Sequence, residues 1–180
     1  MATARRLFAD QGYFETGTTE IVDLAGVGTR GALYHHFESK QALFLAVLEE
    51  IEVDLGAKVG VSITGDTWFE RLEQALSAFL DASLDPEVRR VLLIDGPAVL
   101  GWDVWREIEA RHGLGALRHM LAEGIAEGSI VDVDADAMAH LLLSVVDEAA
   151  LFIAHADDPA TARVRAGASV GALVAGLAAR

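Results

Sequence analysis

The residues best placed to do chemistry fall in two stretches. Thr29, Arg30, Tyr34 and His35 stand close together, and on a short helix their polar groups make an outer face suited to phosphate oxygens and base edges. Farther along, Arg106, His119, His140 and Asp147 are isolated polar groups in apolar surroundings that include Trp102, Trp105 and Met120. That mixture is the composition of a small-molecule pocket, with Leu92, Leu93, Val99 and Leu100 as further wall. His140, Ser144 and Asp147 share one face of an otherwise apolar helix. This face reads equally well as ligand contacts and as a solvent stripe or interface hydrogen bond. Hydrolytic chemistry is not expected, because the nucleophile elbow, the phosphate loop and the His-Glu-x-x-His metal motif do not occur. His35 and His36 are adjacent, so they should face different ways and make no metal pair. Cysteine does not occur, which removes disulfides and thiolate metal sites. Neither an enzyme nor a cofactor is expected.

The elements that must position these residues are helical nearly throughout. Proline occurs only at 86, 97 and 159, and apolar residues recur with helical period almost everywhere. A first helix over 2–11 should stop at Gly12 in the left-handed region. Thr18 is placed to cap a second helix, with Glu20 in its positive first turn. Gly26 ends it, and a third short helix runs from about Thr29 to His36. Ser39 caps a fourth helix carrying Leu43, Phe44, Val47, Leu48 and Ile51 on one face. Asp66 opens a fifth, and Asp85-Pro86 starts a sixth. Pro97 and Gly101 bracket a break, and Gly113 and Gly115 interrupt the segment after it. Two long helices follow over 134–155 and 159–179, giving nine or ten in all.

The pair of short helices around Ala25-Gly26-Val27-Gly28 makes a helix-turn-helix. Gly26 permits the sharp turn, Ala25 the close crossing, and Ile21, Leu24, Val27 and Leu33 the docking side. The second helix then presents its outer face to a major groove about 12 Å wide. The run Leu7-Phe8-Ala9-Asp10-Gln11-Gly12-Tyr13, then Thr18-Thr19-Glu20-Ile21, Leu24-Ala25-Gly26-Val27, Gly31-Ala32-Leu33-Tyr34-His35-His36-Phe37, Ser39-Lys40 and Ala42-Leu43-Phe44 closely resembles the DNA-binding domain of the TetR family, in order and spacing. The resemblance implies an all-α protein. A three-helix helix-turn-helix domain over 1–45 would precede a helical ligand-binding and dimerisation domain over 46–180. It implies that Thr18 and Thr19 hold a phosphate at a helix N-terminus. Thr29, Arg30 and Gly31 would begin the recognition helix, Tyr34 and His35 would contact phosphate or base, and Lys40 would anchor a phosphate. Phe37 and Phe44 read as core, His36 as packing or solvent, and Arg5 and Arg6 as solvated charges. Position 28 departs from the family, with glycine where a capping residue is usual.

The same resemblance implies a homodimer through 134–155 and 159–179. Met138, Leu142, Val145, Ala149 and Phe152 fall at steps of four and three, a seam-like spacing. Gly167, Gly171 and Ala175 give the last helix a small-residue face. The alternative is that both helices bury within their own subunit. The partners implied are double-stranded operator DNA and a small apolar or amphipathic effector that releases it, with no membrane.

Charge is the argument against. The net charge is −14, whereas proteins that sit on phosphate are usually basic. Residues 1–45 hold Arg5, Arg6, Arg30 and Lys40 against five acids, so the acidity lies almost wholly beyond them. A competing reading is a ligand-sensing or adaptor protein with impaired DNA binding. The opening residues lack the apolar run of a signal peptide, and the uncharged run over 166–179 is too short for a bilayer of about 30 Å. A cytoplasmic protein is expected.

Overall fold

The computed structural model describes residues 1–26 and 29–179. The architecture is all-α, as expected. Among the described residues there are ten α-helical segments, two of them extended by π-helical turns, and one isolated antiparallel bridge, Ile130 with Ala178.

α1 (Ala2–Gln11), α2 (Thr18–Ala25) and α3 (Arg30–His36) form the head. α1 ends at Gly12, whose φ of +84° is positive but whose ψ of 168° lies outside the left-handed helical region expected. A Cβ there would also overlap the guanidinium of Arg90, which would have to give up its place beside the turn. Gly26 adopts the left-handed conformation (φ +66°, ψ 20°) that ends α2. The N-cap of α2 is Gly17 and not Thr18, and no side chain caps it. Ile21, Val22 and Leu33 are buried, but Leu24, expected at the docking side, is 56% exposed. Val27 and Gly28 lie outside the described residues. The capping expected of position 28 falls to Thr29, whose hydroxyl accepts from the Ala32 N–H at 3.3 Å.

α4 (Lys40–Ser62) is capped by Ser39 and runs unbroken across the boundary expected at 45/46. Phe44, near its start, meets Phe8 edge-on at 5.2 Å between ring centres. Its later turns pack in the body, against α5 (Trp68–Ala82). That helix begins one residue later than Asp66 suggests, because Thr67 and Glu70 make a capping box.

A π segment (Val88–Asp95) leads straight into α6 (Gly96–Leu100). Pro97 therefore makes no break; it sits at the junction where the π segment gives way to α6. The chain does turn at Gly101 (φ +84°). α7 (Trp102–Glu109), a second π segment (Ala110–Leu114) and α8 (Gly115–Ala126) continue as one helix. The interruption expected at Gly113 and Gly115 is absent, since the helix carries on through π turns there, and the small Gly113 lies close against Leu143. α9 (Ala135–Ala154) and α10 (Pro159–Ala175) are capped by Asp134 and Asp158.

α9 is the one described helix long and apolar enough to cross a membrane, yet half of that stretch is buried against neighbouring helices. The seam expected on it is divided. Leu142 is buried within its own subunit, Phe152 is exposed, and Leu141, outside the seam, is 62% exposed. Gly167, Gly171 and Ala175 line an open groove facing α5.

Candidate nucleic-acid interface and effector cavity

α3 is only seven residues long, and Leu33 anchors it to the head from below. Its outer positions are exposed. Arg30 stands with its guanidinium 5.9 Å from the centre of the Tyr34 ring. The nearby donors of Thr18 and then Arg30 hold the Tyr34 phenol below its usual pKa. Thr18, Arg30 and Tyr34 therefore cluster across α2 and α3. Thr19 is exposed beside it, at an α2 N-terminus whose first-turn N–H groups no side chain occupies. Gly31 is exposed next to the Thr29 hydroxyl.

Lys40, in the first turn of α4, lies over the Tyr13 ring with its ammonium 4.1 Å from the ring centre. Partial burial lowers its pKa, opposed by Asp95, Glu15 and Tyr34. His35 is exposed, as expected, but its ring stacks on His36 at 5.6 Å and does not diverge from it. The side chains fold together beyond the diverging Cα–Cβ bonds. Arg5 is the clearest departure. It is not a solvated charge: its guanidinium donates to Glu87 (2.7 Å), Asp54 (2.6 Å) and Glu50 (3.0 Å).

In the body, the residues expected around a pocket separate. Trp105 is fully buried and donates to the Leu92 carbonyl at 3.0 Å, so it is a core strut and no cavity wall. Trp102 is 51% exposed, over a shallow surface groove with Phe152 and His155. His119 is exposed and reaches only Glu123 on its own helix. His140 is exposed, while Asp147 on the same helix is buried. Arg106 joins Asp147 and Ser144, bridging α7 to α9. Of the expected set, Met120 alone lines the apolar cavity that the structure does contain.

That cavity, about 190 Å³, lies between α4, α5, the second π segment with α8, and α9. Leu55, Val59, Phe79, Met120, Leu143 and Val146 supply its apolar wall. Glu52 and Glu109 supply acids that the sequence analysis did not single out. Both are nearly inaccessible, at 4% and 3%. Burial raises the Glu52 pKa; burial, with the neighbouring Glu52, raises that of Glu109 well above its ordinary value. Asp147 is pushed up to about 7 by burial, against the opposing charge of Arg106. A signal for the first two was present: Glu52 falls between Leu48 and Leu55 on the apolar face of α4, and Glu109 follows Trp105 by one turn. A charged residue in step with the core is unusual enough to mark.

Comparison with known proteins agrees with this geometry. Residues 1–47 match the family model described as bacterial regulatory proteins, tetR family. Residues 69–177 match that described as tetracyclin repressor-like, C-terminal domain. The Transposon Tn10 TetC protein of Escherichia coli is 26% identical over 140 residues, which are 78% of this chain and 71% of that protein. The HTH-type transcriptional activator FasR of Mycolicibacterium smegmatis is 40% identical over 83 residues, 45% of this chain and 37% of that one. A crystal structure of a TetR-family transcriptional regulator from Pectobacterium atrosepticum superposes with a TM-score of 0.91 at 32% identity, covering 99% of this chain and 92% of that chain. With both family models matched in order and the fold reproduced over its whole described length, this chain belongs to the TetR family of transcriptional regulators.

Proposed function

We propose that the protein is a homodimeric repressor that binds a pseudo-palindromic operator through α3 and is released by an apolar or amphipathic small molecule. The observation that carries this reading is the path of α4. It starts at Lys40, beside the exposed group of Thr18, Arg30 and Tyr34, and ends in the wall of the cavity at Glu52, Leu55 and Val59. A ligand that favours one position of that helix shifts the head with it, and it can do so only by its difference in affinity for the two positions.

Thr18 and Thr19 would hold a phosphate, Thr29, Arg30 and Gly31 would enter the groove, and Tyr34, His35 and Lys40 would fix the register. The DNA-binding domain is assigned to 1–45 and the sensing body to 46–180. Exposed Leu141 and Phe152 on α9, with Val164 and Leu173 on α10, support an interface between two copies. A protein acting on chromosomal DNA works in the cytoplasm.

The test is a titration against DNA from upstream of the coding region that carries an inverted repeat, with scrambled DNA as control, at two salt concentrations. Specific, salt-dependent binding by a dimer is expected. A reporter under that promoter should rise when the protein is removed; a fall would make it an activator. Absence of any DNA binding would leave the sensor reading in its place.

A further inference from the structure

The effector cavity is apolar except at one end, and that end is acidic. Glu52 from α4 and Glu109 from α7 lie within hydrogen-bonding reach of each other there. One oxygen of each carboxyl, Oε1, is buried with no hydrogen-bond partner among the described residues. Asp147 from α9 stands behind them, with its own Oδ1 unpartnered. The guanidinium nearest this group, Arg106, is committed to Asp147 and Ser144. His112, at the cavity edge, is exposed. α5 and α8 contribute no charged group to the lining. A buried carboxyl without a counter-charge or donor is costly, and folded proteins normally provide one.

We infer that this cavity takes a lipophilic organic cation, its positive head against Glu52 and Glu109 and its apolar part in the space lined by Phe79, Met120 and Leu143. The inference rests on the reading that the cavity holds the effector, and it names that effector's chemical class. The volume of about 190 Å³ suits a single ring bearing a small onium group, since an engineered apolar cavity of roughly 150 Å³ holds benzene. Entry is available beside Gly56 and Gly60 on α4, where a Cβ would meet only open space. An anion would face three acids against one committed arginine. A neutral apolar ligand would leave both buried oxygens without a partner. A metal ion is not the occupant, because among the described residues no group of three acidic or histidine side chains has an arrangement able to hold one, and Asp147 is committed to Arg106.

Burial, with the neighbouring Glu52, raises the Glu109 pKa. A bound cation favours the charged carboxylates and so competes with protons for them, and its binding tightens as pH rises.

Calorimetry with three probes of similar size tests this: benzyltrimethylammonium, its uncharged isostere neopentylbenzene, and phenylacetate. The cation is expected to bind at least about tenfold more tightly than the isostere, and phenylacetate more weakly than either. Between pH 6 and 8 the cation's affinity should climb while that of the isostere stays flat. E52Q/E109Q should lose about tenfold or more for the cation and keep the isostere, which also shows that the cavity is intact. Should the double variant not fold, Glu109→Gln alone and the pH profile of the unaltered protein carry the same test. Equal binding of cation and isostere, or no effect of the glutamine variants, overturns the cation and leaves the effector reading standing. Binding of none of the probes overturns both.

Discussion

The main-chain N–H of Tyr13 donates to the carboxylate of Asp95 at 2.7 Å, joining the turn after α1 to the end of the first π segment. Asp95 is 2% exposed and also receives Arg90, which in turn donates to the Gln11 carbonyl. Gln41 adds a bond from α4 to the Val99 carbonyl at 2.8 Å. The head is thus clasped to the segment carrying the π turns by directed polar contacts as well as by the shared core. Asp95→Ala leaves a main-chain donor and a guanidinium without their acceptor. It should lower unfolding stability by about 1–3 kcal/mol, read from urea midpoints at constant m.

Arg5 is the second clasp. The Glu87 carboxylate is the main cause of its raised pKa, and Asp54 and Glu50 add to it against partial burial. Arg5→Ala leaves three carboxylates facing one another across α4 and the start of the Val88–Asp95 segment. A stability loss of about 1–3 kcal/mol is expected, with the salt dependence of DNA binding unchanged. A salt slope smaller by about one would instead make Arg5 a phosphate contact.

Arg30→Ala and Lys40→Ala should separate on DNA. The first should weaken the specific site by about 1–3 kcal/mol and spare scrambled DNA, if Arg30 meets a guanine edge. The second should weaken both DNAs alike and reduce the salt slope by about one. Because Lys40 lies over Tyr13, Lys40→Ala should also cost about 0.5–1 kcal/mol of folding stability. Equal losses on both DNAs for Arg30→Ala would make it a backbone anchor.

Leu141→Glu and Phe152→Glu place charge on exposed apolar positions of α9. Each should convert dimer to monomer in sedimentation while far-ultraviolet circular dichroism stays unchanged. Leu142→Glu should unfold the subunit, since that side chain is 5% exposed within it. A dimer that persists in both surface variants would move the interface off this face.

Asp147 sets a direction for stability against pH. Its folded pKa of about 7 lies above the ordinary 3.8, so the folded state holds the proton to higher pH than the unfolded chain does. The resulting contribution is full below pH 3.8 and is lost as pH rises to 7. At roughly 1.4 kcal/mol per pH unit this comes to at most about 4 kcal/mol. Asp147→Asn should therefore be more destabilising at pH 4.5 than at pH 8 when both are measured against the unaltered protein. A difference that does not change with pH would mean that Asp147 titrates normally.

The helix-turn-helix was legible in the sequence because its determinants are local. Gly26 turns the chain, Ser39 caps α4, and Ile21 and Leu33 repeat with helical period, each acting within a few residues of its own position. Periodicity also identified the helices, but it says only that a face is apolar, not what covers it. Leu24 and Leu142 were misplaced for that reason: one faces solvent, the other its own core. Glycine propensity misled at Gly113, which lies against Leu143 inside a π turn that keeps the helix continuous. Trp105 looked like a pocket wall from composition, but the carbonyl that accepts from its indole belongs to Leu92, on a different helical segment. The partners of Arg5 lie 45 to 82 residues away. The meeting of Glu52, Glu109 and Asp147 depends on how α4, α7 and α9 cross. Such contacts arise from the packing of helices against one another, which no local pattern encodes, so only the tertiary structure decided where the acids and the cavity would be.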